Sequence, residues 1–170
     1  MKSWSLLTLV GADQAGIVAR VTESLAAADC ELGETSMMRM GCNFAMMLRV
    51  SHDNQDLAAL LKDVCAELNL HLHVDEDADG ACVITEPDVN ITVYGADRSG
   101  IVAEVTNTLA MAGLNIIDLE TAVAGSKEKP IYIMTIEGQA LQGVEALNDA
   151  AAKISKGVEL NIVPIQTLRA

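Results

Sequence analysis

The sequence predicts an α+β protein made of two similar βαββαβ units in tandem, each an antiparallel sheet with two helices on one face. Three observations lead there. The chain repeats itself at an offset of 84 residues. Hydrophobic periodicity switches between two and about 3.6 in the same order in both halves. The composition, 51% hydrophobic with only 2% aromatic, supports packed cores built from Ala, Val, Ile, Leu and Met.

The repeat is read directly. Leu7 to Ala19 (LTLVGADQAGIVA) lies over Ile91 to Ala103 (ITVYGADRSGIVA), and the match continues through Val21-Thr22 over Val105-Thr106 and Leu25-Ala26 over Leu109-Ala110. A repeat fixes the domain count before any residue-level argument, so the chain divides into a first domain over 1–80, a linker over 81–88 and a second domain over 89–170. The acidic stretch from Asp75 to Gly80 and Glu86-Pro87-Asp88 break the pattern between them.

Taken in order, residues 4–10 form a short apolar strand. Gly11-Ala12-Asp13 is a turn in which Asp13 can cap the following helix. Ile17, Val21, Leu25 and Ala28 recur at helical spacing and give a helix over 15–28. Residues 31–40 and 42–51 are two strands joined at Gly41, the second with Phe44, Met46, Leu48 and Val50 in alternation. Leu57, Leu60, Leu61, Val64, Cys65 and Leu68 make one apolar helical stripe. Leu70, Leu72 and Val74 alternate with His71 and His73 in a closing strand. Of Met37, Met38, Met40, Met46 and Met47, alternation assigns about half to the core and leaves the rest as an adaptable contact surface.

The second half repeats the order. Strand 89–94 leads to helix 99–112, which Gly113 ends with a left-handed cap. Strands over 115–124 and 130–137 flank the turn Gly125-Ser126-Lys127-Glu128-Lys129. A helix over 140–156 carries Leu141, Val144, Leu147, Ala151 and Ile154, with Gly157 as its cap, and strand 158–163 closes the unit. This order is the split-βαβ, ferredoxin-like pattern.

Charge excludes several functions. With 24 acidic and 11 basic residues the net charge is -13, so phosphate backbones and anionic membranes are repelled. No apolar stretch reaches the ~20 residues of a membrane helix. Met1-Lys2 and the apolar run after it have the outline of a short signal peptide, yet the run has a counterpart at 91–94 and reads as structure, which implies a cytoplasmic protein. Cys30, Cys42, Cys65 and Cys82 form no C-x-x-C pair. The absence of G-x-S-x-G, P-loop and C-x-x-C motifs leaves no basis for an enzyme or a bound cofactor.

The chemical signal is the duplicated turn between first strand and first helix: Gly11, Asp13, Gln14, Ala15, Gly16 and Ile17 in the first half, Gly95, Asp97, Arg98, Ser99, Gly100 and Ile101 in the second. Glycines allow close approach of a ligand, and a helix start offers N–H groups to a carboxylate. The same residues would also serve a helix packed closely on its sheet. A second pattern, Asp75-x-Asp77-x-Asp79-Gly80-x5-Glu86, matches a calcium loop, although an alternating strand precedes it and Pro87 follows. His71 and His73 share a strand face with no third metal ligand evident.

The turn, together with Ala110-Met111-Ala112-Gly113-Leu114-Asn115-Ile116, resembles an ACT domain, twice over. Two such domains filling the chain, with the stretch from Cys30 to Gly41, are similar to the glycine cleavage system transcriptional repressor family. The resemblance implies an amino-acid site at an interface between two such domains, formed by the strand–helix turn and the start of the second strand. It adds Asn115 to the second turn, and it implies a small amino acid (glycine or serine) as ligand, a DNA-binding transcriptional activator as protein partner, and self-association. Glu31 and Asp29 stand where the second half has Asn115 and Gly113, and a carboxylate at 31 would repel a ligand carboxylate, so the second half is the favoured site. The competing readings are an interaction module without ligand, and a calcium-binding linker.

Overall fold

The computed structural model describes residues 2–76, 85–96, 99–126, 129–154 and 157–165, the side chains of Ala96 and Lys129 excepted. It falls into two compact units, Met1–Cys82 and Val83–Ala170. The first contains β1 (Ser3–Ala12), α1 (Ile17–Ala27), β2 (Glu31–Met40), β3 (Asn43–His52), α2 (Leu57–Glu67) and β4 (Leu70–Asp75). The second contains β5 (Val89–Ala96), α3 (Ile101–Met111), β6 (Leu114–Ser126), β7 (Lys129–Ala140), α4 (Val144–Ala151) and β8 (Val158–Pro164). The sheets are ordered β2-β3-β1-β4 and β6-β7-β5-β8, and each described pairing is antiparallel.

Alternation decides which residues meet the helices. On β1, Ser5, Leu7 and Leu9 are buried, as are Phe44, Met46, Leu48 and Val50 on β3. Helix α1 adds Ile17, Val21 and Leu25, and α2 adds Leu57, Leu61 and Cys65. The second core repeats this with Val89, Ile91 and Val93, Met134 and Ile136, Ile101, Val105 and Leu109, and Leu147. Each buried aliphatic side chain contributes about 1.5–3 kcal/mol, so aromatics are not needed. Residues 4–10 lie within β1, paired with β3 throughout and with β4 from Leu6 onward, as the internal repeat implied.

Three expectations fail. The last helix is shorter than periodicity suggested: β7 continues to Ala140, Gly143 turns the chain at φ 87°, and α4 begins only at Val144. Leu141, 70% exposed, lies in that turn, and Gly157 is the turn residue before β8 rather than the cap of α4, which is Ala152. Of the five methionines only Met46 is buried: Met37, Met38 and Met40 lie on β2, an edge strand exposed along its whole length, and Met47, beside Met46 on β3, alternates to the exposed face. Asp13 does not cap α1, whose N-cap is Gly16 with no side-chain cap.

Two details fix the edges of the second sheet. Gly138 is required where β6 bulges between Ile116 and Asp118, since a Cβ there would stand 2.4 Å from the Asn115 carbonyl oxygen. Asp88, assigned to the linker, is bound into the sheet end, its Oδ1 accepting from the Ala140 N–H at 2.8 Å.

Candidate ligand site

In the first unit β1 ends at Ala12, and the Asp13 N–H donates to the Cys42 carbonyl at 2.8 Å. The chain then needs a left-handed residue to enter the helix, and Gly16 supplies it at φ 92°, ψ -1°. The Gly16 carbonyl accepts the first helical bond, from Arg20 N–H at 3.0 Å. The N–H groups of Ile17, Val18 and Ala19 precede that bond and have no intrahelical acceptor. They border a hollow of about 330 Å³ walled by Asp13, Gln14, the first turn of α1, Met37 and Phe44. Helix polarity and these N–H groups favour an anion at this place.

The side chains of the turn are already engaged. Asp13 Oδ2 meets Arg39 Nη1 at 3.2 Å, and Gln14 Nε2 donates to the Leu68 carbonyl at 2.8 Å. Ala15 is exposed and Ile17 is buried in the core. Gly11 lies against the start of β4, where a Cβ would meet Leu70 Cδ2 at 2.7 Å.

The second unit repeats the backbone. Gly100 is the N-cap of α3 at φ 86°, ψ -1°, without a side-chain cap, and its carbonyl accepts from Glu104 N–H at 2.9 Å. Ser99 is exposed, Ile101 is buried, and a Cβ on Gly95 would meet Ile101 Cδ1 at 2.7 Å. Asp97 and Arg98 lie outside the described residues. A hollow of about 490 Å³ opens at this end of the sheet between Tyr94-Gly95, Pro130-Ile131 and Gly157 to Glu159.

Asn115 is not brought to the turn of its own unit. It pairs with Gln139 near the start of β5, whereas the turn follows the end of β5. At ~3.3 Å per residue, the six steps from Asn90 to Ala96 put about 20 Å between the two places. Glu31 occupies the matching position in the first unit and forms an ion pair with Lys2. That bond is the main cause holding the Lys2 ammonium above its usual pKa, and the repulsion expected from the Glu31 carboxylate is correspondingly offset. Asp29 adopts φ 56°, the left-handed conformation that Gly113 has at φ 87°.

Sequence reasoning missed Arg39, Met37 and Phe44 at the first turn. The signal was the tight hairpin at Gly41-Cys42, which sets Met40 opposite Asn43 and Arg39 opposite Phe44, and so carries the end of β2 to the turn. Among the described residues no three His, Cys, Asp or Glu side chains could hold a metal together. Of the calcium pattern, Asp75 ends strand β4 and meets His73 Nε2 at 3.0 Å, while Asp77, Asp79 and Gly80 lie outside the described residues. His71 and His73 are exposed. No helix among the described residues is long and apolar enough to cross a membrane.

Comparison with known proteins agrees with this geometry. Models of the ACT domain match residues 4–75 and 89–153. UPF0237 protein YjhC of Lactococcus lactis is 35% identical over 77 residues, 44% of this chain and 88% of its own. UPF0237 protein MMP0657 of Methanococcus maripaludis is 35% identical over 77 residues, 44% of this chain and 84% of its own. An unknown protein from Galdieria sulphuraria has the same fold, with a TM-score of 0.80 at 22% identity, covering 98% of this chain and all of the other. A candidate glycine cleavage system transcriptional repressor shares it with a TM-score of 0.65 at 15% identity, over 97% of this chain and 99% of the other. Membership of such a family points to regulation by a small ligand. The chain thus belongs to the ACT domain family, with one ACT domain in each half.

Proposed function

We propose that the protein is an amino-acid-responsive regulator whose ligand, glycine or serine, places its carboxylate on the N–H groups that open each first helix. The observation that carries this reading is the pair of left-handed glycine N-caps, Gly16 and Gly100, neither helix having a side-chain cap, with a hollow beside the first. The ligand set in the second unit is Gly95, Asp97, Arg98, Ser99, Gly100 and Ile101, with Asn115 contributed by a second copy, because about 20 Å separates it from its own turn. In the first unit it is Gly11, Asp13, Gln14, Ala15, Gly16 and Ile17, with Arg39 beside it as a cation.

Glycine or one-carbon metabolism is the proposed setting, and a DNA-binding activator in the cytoplasm the proposed partner. The support is the two-unit fold shared with the candidate glycine cleavage repressor, and a net charge of -13 that favours contact with a basic protein over contact with DNA. Ligand shifts the balance of assemblies only through unequal affinity for them. Thermal shift against the twenty amino acids tests this: glycine or serine raises the unfolding midpoint, and Asn115→Ala reduces the rise. No stabilisation by any amino acid overturns it.

The engagement of Asp13 by Arg39 and of Gln14 by Leu68 favours a second reading for the first unit, a protein-contact module without ligand. Capture of the activator that is indifferent to glycine and serine would select it.

A further inference from the structure

The far end of the first unit, some 30 Å along β1 from the Gly16 turn, contains a polar pocket of about 390 Å³ that the amino-acid reading does not use. Ser5, 1% exposed, and His52, 7% exposed, line it and share a hydrogen bond of 2.9 Å between Oγ and Nε2. The other ring nitrogen, His52 Nδ1, is buried and bonded to no protein group among the described residues. Gln55 Oε1 is in the same condition. The Gln55 amide is fixed in orientation, because its Nε2 donates to the Ala28 carbonyl at 2.9 Å, and a carbonyl oxygen can only accept.

The fold does not require these polar groups. In the second unit the strand registers put Val89 and Ala140 where the first has Ser5 and His52, and Val89 is fully buried. A buried polar atom without a partner is costly, so a chain that closes one sheet end with apolar groups and the other with orphaned acceptors has placed them there for something that binds them.

The acceptors define the ligand. Gln55 Oε1 needs a donor. Asp56 keeps one carboxylate oxygen after Oδ1 accepts from the Ala59 N–H at 2.9 Å, and the Glu76 carboxylate lines the same pocket. His52 Nδ1 also accepts when Nε2 carries the ring proton. Among the described residues no lysine or arginine lines the pocket. Ser3 and Asn54 complete the wall and can take a hydroxyl. We propose that this pocket is a binding site for the ammonium group of a small primary amine, held by Gln55, His52 and Asp56, independently of the amino-acid site at the helix turns.

Full-length protein with ¹⁵N-labelled histidine is titrated with ethanolamine and, separately, with choline, which has the same charge but no N–H donor. His52 is identified by its loss in His52→Ala. Ethanolamine is expected to shift the His52 ring resonance saturably, with a dissociation constant of about 0.1–10 mM for so small a ligand, and choline to bind at least about tenfold more weakly on the same grounds. The Ser5→Val, His52→Ala double variant, titrated with ethanolamine by calorimetry alongside the natural chain because it lacks the His52 ring, copies the second unit, so it keeps or raises the unfolding midpoint while abolishing binding. Gln55→Met weakens binding and leaves the Ser5–His52 resonance in place. No saturable shift, an equal response to choline, or unchanged affinity in the double variant overturns the proposal. Glycine-dependent thermal stabilisation that persists in the double variant keeps the two sites distinguishable.

Discussion

Arg39, near the end of edge strand β2, holds its guanidinium 3.2 Å from the Asp13 carboxylate and so braces the turn into α1 from outside the strand pair that makes it. The pair is partly exposed, which limits its contribution to folding to less than about 1 kcal/mol. Arg39→Gln is therefore expected to leave the unfolding midpoint nearly unchanged while exposing any ligand carboxylate to an unbalanced Asp13. Calorimetric titration of glycine should show affinity for the first unit falling several-fold, and an unchanged titration would remove Arg39 from the site.

The glycines separate two costs. Gly16 has φ 92° and open space around a would-be Cβ, so Gly16→Ala is charged only for the backbone, about 1 kcal/mol. That corresponds to about 4–8 °C in a domain of this size. Gly138→Ala must move a backbone carbonyl that would stand 2.4 Å from the new Cβ, and steric strain of about 1–3 kcal/mol is expected. Scanning calorimetry should rank Gly138→Ala as the more damaging. The reverse order would contradict the close approach of β6 to β7.

Asp56 caps α2 through its bond from the Ala59 N–H, whereas α1, α3 and α4 have no side-chain cap. Asp56→Ala should cost about 1 kcal/mol. Urea unfolding should locate the loss in the first unit, where amide exchange along α2 becomes faster.

The Arg20 guanidinium joins α1 to α2 through both Glu67 carboxylate oxygens, at 3.2 and 2.5 Å. Its hydrogen bond, and secondarily its charge, hold the Glu67 carboxyl below its usual pKa of 4.5. A depressed carboxylate stabilises the fold at pH values above the usual one and loses that effect as the pH falls through the depressed value. Glu67→Gln should thus unfold at a lower temperature than the natural chain at pH 7, with the gap closing below about pH 4 and shrinking in 1 M salt, about where the Debye length falls to 3 Å.

Thiol chemistry offers a map of burial. Cys42 is exposed, while burial pushes the Cys30 and Cys65 thiols up in pKa, with the Asp29 charge adding to the effect at Cys30. In a Cys82→Ser background, a thiol reagent at pH 8 should label Cys42 first and reach Cys30 and Cys65 only with unfolding. Early labelling of Cys65 would show that α2 is not seated on its sheet.

What could be read from the sequence was what period and conformation impose. Phe44, Met46, Leu48 and Val50 face inward because a strand alternates, and Gly16 and Gly100 stand where only a left-handed residue lets the chain enter a helix. The length of α4 was hidden because Leu141 and Val144 continue a helical spacing through what is really a strand end and a turn. Alternation assigned about half of the five methionines to the core and only Met46 is there, because alternation says which face a side chain is on, not whether anything covers it. Arg39 could be placed only through the hairpin at Gly41-Cys42, and the Ser5–His52 pair could not be found by spacing at all. The first reaches its partner across a hairpin, and the second joins residues 47 apart in sequence.

Each half keeps its own interior, Leu7 to Leu70 in one and Val89 to Leu147 in the other. Inactivating lesions should accordingly sort into two classes that rescue each other when two damaged copies are co-expressed and can assemble. A gene carrying Leu61→Ala, expected to cost its domain about 2–5 kcal/mol, would complement one carrying Leu147→Ala.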